Sequence, residues 1–367
     1  PGRTGGSVHV LEVARGLAAR GHEVHAVVSR QEGRPPREQE DGVTWHRIGW
    51  FPPHRLFRWR AAGAVAALLE ELKPRALMER YYNFGGEGVL PAAARGVPAL
   101  LEVNSPVVDH PGSVKGLLDA AMVARPLRRR RERLCRAATA LVSPLPEIVP
   151  EFARAKTVTV TWGANVDAFH PQRRREEVRR ELGVPEGATA VVFSGSFRPW
   201  HGVHVLEEAA RRLAERTDLY FILAGGETAA PGQGYRGRRL GALPYERMPE
   251  VVAAADVGVA PYDTRRLAQL RLGFYWSPLK IFEYMASGLP TVTIPRFPLT
   301  EIVRAEQEGL HVAEGDPAAL AAALLRLAQD PALRARLGAS ARARVVERYS
   351  WARHCQDLER VLEGMAR

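Results

Sequence analysis

Apolar residues along this chain fall into short runs, separated by stretches where they recur every three or four positions. The first stretch predicts a helix over 7–20, with Val10, Ala14, Leu17 and Ala18 on one face and Gly21 as its stop. Strands are predicted at 24–28, 43–48, 76–79, 99–103, 140–143 and 158–161, with helices between them such as 59–72. The segment "GANVDAFHPQRRREEV" breaks the pattern and reads as a linker. The alternation then restarts, with strands at 190–193, 220–224, 257–260 and 291–294 and helices at 205–213, 248–255 and 279–286. This predicts an α/β protein of two doubly wound domains in tandem, each a parallel sheet with helices on both faces. The opening "PGRTGGS" reads as a loop joining a strand to a helix, so a further strand is expected before it.

Composition agrees with that reading: 367 residues, 46% of them hydrophobic, are enough for two cores. The net charge of +11 would suggest nucleic acid or a membrane, but only four of the 52 basic residues are lysines (Lys73, Lys115, Lys156, Lys280). An arginine bias on an alanine-rich background fits a GC-rich coding sequence, and this discounts much of the excess. Nucleic acid is not expected, because aromatic residues do not interleave with the basic ones as a stacking platform requires. Two distant cysteines, Cys135 and Cys355, imply a reducing compartment. No apolar stretch approaches the roughly 18 to 20 residues that cross a bilayer. A cytoplasmic location is expected, with peripheral attachment to the inner face of the membrane as the alternative.

In open parallel sheets, ligands bind at the carboxyl ends of strands, where glycine turns and helix N-termini meet anions. "GRTGGS", "SGSFRPWHG" and "LAGGE" are such turns. In "WSPLKIFEYMASGLPTVTI", Ser277 and Pro278 read as the N-cap and first position of a helix. Lys280 adds a cation to the first turn, where the helix dipole favours an anion. Glu283 lies one turn on. The pair suits a diphosphate at Lys280 and a sugar diol at Glu283; the alternative is an exposed i, i+3 ion pair worth a few tenths of a kcal/mol.

"KIFEYMASGLPTV", "PLTEIV" and the tail from "EGLHVAEGDP" to "ERYSW" resemble the donor domain of glycosyltransferase family 4, retaining enzymes of GT-B fold. "GGSVHVLEVARGLAARGHEVHAVV" resembles that family's acceptor domain. The resemblance spans nearly the whole chain and implies two Rossmann-like domains, 1–168 on the acceptor side and 169–350 on the donor side. It also implies that a last helix, 351–367, packs back on the first domain. By the same resemblance Glu283 holds the nucleotide ribose, Lys280 the donor diphosphate, and Ser277 and Leu279 stand at the start of the donor helix. Where the family has its first glutamate, eight positions before Glu283, this chain has Tyr275. In the loop at 194–203 the family has an arginine and a lysine where this chain has Ser196 and His201. The diphosphate is expected on the Gly195 and Ser196 backbone, Arg198 and His201. Gly5 and Gly6 match the family's glycine loop. His110 is expected near the transferred sugar, as a catalytic group with Arg198 and Lys280, and Glu102, Asn104 and Asp109 beside it are placed to orient acceptor hydroxyls. His9 and His22 read as helix-surface residues.

These implications combine into a hexosyltransferase-like enzyme that moves a sugar from a UDP- or GDP-sugar to a hydroxyl of a glycan or lipid-linked acceptor, for polysaccharide or glycolipid synthesis. No metal or other cofactor is expected. A sugar-nucleotide epimerase and a non-catalytic nucleotide- or glycan-binding protein are the rivals. "RPLRRRRERLCRAA" reads as a solvated helix, or else as a docking patch for anionic lipid.

Overall fold

The computed structural model describes residues 5–49, 58–83, 85–110, 113–171 and 174–365. The chain divides into two compact units, one of residues 1–161, 275–277 and 354–367, the other of residues 162–274 and 278–353.

Unit 1 contains β1 (Val24–Ser29), β2 (Arg37–Glu40), β3 (Val43–Ile48), β4 (Leu77–Arg80), β5 (Ala99–Glu102), β6 (Ala140–Ser143) and β7 (Thr157–Thr159). Its helices are α1 (Gly5–Ala19), α2 (Ala62–Leu72), α3 (Val89–Ala93), α4 (Val114–Ala121), α5 (Pro126–Ala137) and α6 (Glu151–Arg154). One sheet runs β1-β3-β2 and the other β4-β5-β6-β7. All pairs are parallel except β2 with β3. The outer strands β1 and β4 both line a cavity of about 1260 Å³, walled also by Val10 and Leu17 of α1 and Leu68, Leu69 and Leu72 of α2.

Unit 2 contains α7 (Arg175–Leu182), β8 (Thr189–Ser194), α8 (Val203–Arg212), β9 (Leu219–Pro231), β10 (Gly237–Gly241), α9 (Met248–Ala253), β11 (Val257–Ala260), α10 (Leu279–Ala286), β12 (Thr291–Thr293), α11 (Leu299–Ile302), β13 (Gly309–His311), α12 (Pro317–Gln329) and α13 (Pro331–Arg348). Its strand order is β10-β9-β8-β11-β12-β13, with every pair parallel. The order reverses between β8 and β11, and that switch point is where such sheets open a crevice for ligands. Phe193, Leu206, Phe221, Val259, Val292, Leu320 and Leu324 form the core between the sheet and helices α8 and α12.

The predicted linker and boundaries shift. The crossing falls at 161/162 rather than 168/169, because Phe169 is buried and Arg342 of α13 donates to the carbonyls of Val166 (3.0 Å) and Phe169 (2.8 Å), all within unit 2. The end of the "RRREEV" run is helix, not linker: Val178 and Leu182 are buried, while Arg175 and Arg179 reach Asp256 at 2.5 and 3.0 Å. A last helix, α14 (Trp351–Met365), returns to unit 1 from His354 onward. There Cys355 packs on the carbonyls of Glu12 and Val13, and Glu359 accepts from Arg20 and His22.

Candidate functional site

The candidate site of unit 2 is built around the end of β8, beside the switch point of the sheet. Gly195 follows that strand with φ +148, a conformation that glycine tolerates and other residues rarely adopt. A Cβ there would stand 2.8 Å from Lys280 Nζ and 3.2 Å from His201 Nδ1. Among the described residues, neither of those two nitrogens has a hydrogen-bond partner, although both are buried. Buried polar nitrogens are seldom left unsatisfied, so a lysine donor and a ring nitrogen converging on a bare glycine mark a place for a polar ligand.

The surrounding elements hold this arrangement. Tyr284 of α10 accepts the Ser194 N–H at 2.7 Å and lies 3.1 Å from Ser194 Oγ, tying the helix to the strand end. Lys280 Nζ lies 4.0 Å from the centre of the Phe193 ring and 5.4 Å from that of Tyr262. Ring faces attract a cation but do not hydrogen-bond it as water would. Phe197, with φ +50, lays its ring on Gly226 and packs edge-on to Phe193, and Arg198 beyond it is exposed.

Burial pulls Lys280 down to about 7, against the attraction of Glu283. Burial likewise pushes Glu283 up to about 7, against the hydrogen bond from Tyr245 (3.0 Å) and the charge of Lys280. Burial, then the charges of Lys280 and Arg198, push His201 down to about 2, so it is neutral near pH 7. The site has one cation and one anion held near their titration points, ready to respond to a charged ligand.

The structure therefore gathers Gly195, Arg198, His201, Lys280 and Glu283 in unit 2, with Ser196 exposed in the same loop and Leu279 opening α10. Two expectations are corrected. Ser277 does not cap the helix, since the cap position is Pro278 with no side-chain bond, and Ser277 groups with unit 1. The Gly195 N–H is not free for phosphate, because it donates to Ala224 O at 2.9 Å in the ladder with β9.

Gly5, Gly6 and His110 belong to unit 1. Gly6 lies in the first turn of α1, where a Cβ would meet Arg80 Nη1 at 2.6 Å. His110 sits half-buried in the loop after β5, and its carbonyl accepts Ser113 N at 2.9 Å. Its expected neighbours are committed elsewhere. Glu102 is buried against His9 at 2.8 Å. Burial pushes its carboxyl up, but His9, Arg80 and Asn104 outweigh that and hold it at about 2. Asp109 is paired with buried Arg131 at 2.7 Å. His9 is accordingly a buried residue and not a helix-surface one, whereas His22 is exposed as expected. Tyr245, Tyr284, Phe193 and Phe197 were not singled out from the sequence. Only Tyr284 carried a signal, its place inside the "FEYMA" run.

Two family profiles match the chain, "Glycosyl transferase 4-like domain" over residues 4–161 and "Glycosyl transferases group 1" over residues 188–330. The chain belongs to the group 1 glycosyltransferases. Within that family it is 30% identical over 217 residues to the D-inositol 3-phosphate glycosyltransferase of Corynebacterium diphtheriae, a match that takes in 54% of this chain and 48% of that protein. The chain thus aligns with about half the length of the first curated relatives. The enzyme of the same name from Acidothermus cellulolyticus is 25% identical, with 95% of this chain and 83% of the relative covered. Two solved structures that the chain resembles show the GT-B fold. Sucrose-phosphate synthase from Thermosynechococcus elongatus has a TM-score of 0.72 at 20% identity, covering 99% of this chain and 94% of that one. Anabaena HepE in complex with UDP has a TM-score of 0.74 at 15% identity, covering 99% and 97%.

Proposed function

We propose that this chain transfers a sugar from a nucleoside diphosphate sugar to a hydroxyl acceptor, with retention at the anomeric carbon. The observation that carries the reading is the pair of unpartnered buried nitrogens, the Lys280 Nζ donor and His201 Nδ1, over Gly195 at the switch point of the unit 2 sheet. A diphosphate fits there because it supplies acceptor oxygens and a charge that holds the proton on Lys280. Glu283, one turn along α10, takes the ribose diol, since a carboxylate accepts two hydroxyls. As the bond to the sugar breaks, Lys280 and exposed Arg198 meet the charge that develops on the leaving diphosphate, and catalysis of this kind needs donors already in place. The reading calls on no metal ion. HepE, a structural neighbour, has been seen with UDP-glucose, which agrees with a UDP-sugar donor. A glycan or lipid-linked acceptor, and a place in polysaccharide or glycolipid synthesis, belong to the same proposal.

Calorimetric titration with UDP and with GDP tests it. One of the two is expected to bind the wild type, and Glu283→Ala to weaken it about tenfold or more through the lost diol contacts. Binding of neither overturns the donor site. Turnover of the matching sugar nucleotide, in EDTA, then decides the chemistry. An α-linked donor should give an α-linked product; release of an isomerised sugar nucleotide would make the chain an epimerase, and tight binding without turnover a non-catalytic binder.

A further inference from the structure

Helix α4 is built inside out. Its Asp119 is buried and accepts the N–H groups of Leu127 (2.9 Å) and Arg128 (2.8 Å) at the start of α5. Val114, Leu117 and Leu118 face solvent at 71%, 65% and 45% exposure, and Met122 and Val123 just beyond reach 54% and 86%. Positions 114, 117, 118 and 121 fall on one helical face, so the exposed apolar residues form a continuous row. A surface helix of a soluble domain shows the opposite arrangement, and a contiguous exposed apolar patch marks an interaction surface. The inversion is fixed from within. Buried Arg131 of α5 pairs with Asp109 at 2.7 Å and Asp119 at 3.5 Å, and Ser113 caps α4 through Gly116 N.

Beside the apolar row, α5 presents Arg128, Arg129, Arg133 and Arg136 to solvent, with Arg125 just before it. Glu132 takes Arg128 and Arg136, but among the described residues Arg125, Arg129 and Arg133 make no ion pair. Val123, Ala124, Arg125, Arg128, Arg129 and Glu132 line a depression of about 330 Å³ where the two helices meet. Guanidinium forks suit phosphate oxygens.

We propose that α4 and the first turns of α5 form a docking surface for an anionic lipid bilayer. The apolar row lies in the headgroup and acyl boundary while the arginines take lipid phosphates, the arrangement of interfacial helices. Charge selects this occupant. A second copy would bring arginines against arginines, which costs affinity, and nucleic acid has no use for a row of valine, leucine and methionine. The surface is independent of the donor site and would hold the enzyme beside lipid-borne substrates.

The test is co-sedimentation of the full chain with vesicles of phosphatidylcholine alone and with about 30% phosphatidylglycerol, at low and high salt. Wild type is expected to bind the anionic vesicles and release at high salt. Replacing Arg125, Arg129 and Arg133 by alanine should lower partitioning roughly 100-fold, about fivefold for each cation near a charged surface. Leu117→Asp with Leu118→Asp should lower it at least about tenfold. Unchanged thermal midpoints and nucleotide affinity show that the variants are folded and separate this result from the donor reading. The proposal falls if wild type ignores anionic vesicles, if the variants bind as wild type does, or if the leucine pair instead disperses a dimer seen by sedimentation equilibrium.

Discussion

Lys280 shows what the site asks of a single residue. Its nitrogen is buried against two aromatic rings and pulled down to about 7, so with no anion beside it the proton is held only below that pH. A bound diphosphate stabilises the charged form, so binding takes up a proton as pH rises through 7 and affinity for the sugar nucleotide falls there. Glu283, pushed up to about 7, opposes this, because it becomes the carboxylate that ribose hydroxyls need as pH rises. Titrations of the sugar nucleotide from pH 6 to 9 should therefore show a shallow maximum for wild type and a plain fall for Glu283→Gln. Lys280→Met should abolish binding yet raise the melting temperature by at least about 2 °C at pH 6. The sign follows from linkage: the unfolded chain keeps a proton that the folded site resists, so the penalty grows as pH drops below the ordinary lysine range. Gly195→Ala should lose nucleotide binding and cost about 1–3 kcal/mol in denaturant unfolding, since the added methyl falls on Lys280 Nζ in a backbone conformation alanine resists.

Elements whose hydrophobic period matched their burial were legible in the chain. β3 (Val43–Ile48), β6 (Ala140–Ser143), β11 (Val257–Ala260) and α10 (Leu279–Ala286) have the predicted limits. Strands without an apolar signal were not. β2 reads REQE and pairs antiparallel at a sheet edge, and β10 reads GRRLG at the edge beside β9. An edge strand is held by backbone bonds on one side and has little need of apolar side chains. The hold of α10 on β8 was equally invisible, because it depends on one hydroxyl. Tyr284→Phe leaves the buried Ser194 N–H without its acceptor and should cost about 1–3 kcal/mol in urea unfolding.

The whole molecule is two units, with the last helix returned to the first. That return is a packing fact. A Cβ on Gly16 of α1 would lie 2.4 Å from Cys355 Sγ, so the two helices touch where α1 has no side chain. Gly16→Val should overpack the contact, destabilise by about 1–3 kcal/mol and raise hydrogen exchange in α1 and α14 while the core of unit 2 keeps its protection. The sequence alone determined the α/β class, the restart of the pattern after residue 170, and the glycine turn and PLKIFE helix that carry the candidate donor site. These are local properties, written in hydrophobic period and turn chemistry. Only the tertiary structure decided which charges are buried. Arg131 is enclosed, although the arginine run reads as solvated, and Asp119 points inward while Leu117 points out. Burial depends on what other elements place around a residue. Arg129 is solvated on one face of α5, while Arg131, two positions later, is enclosed against two aspartates from elsewhere in the chain.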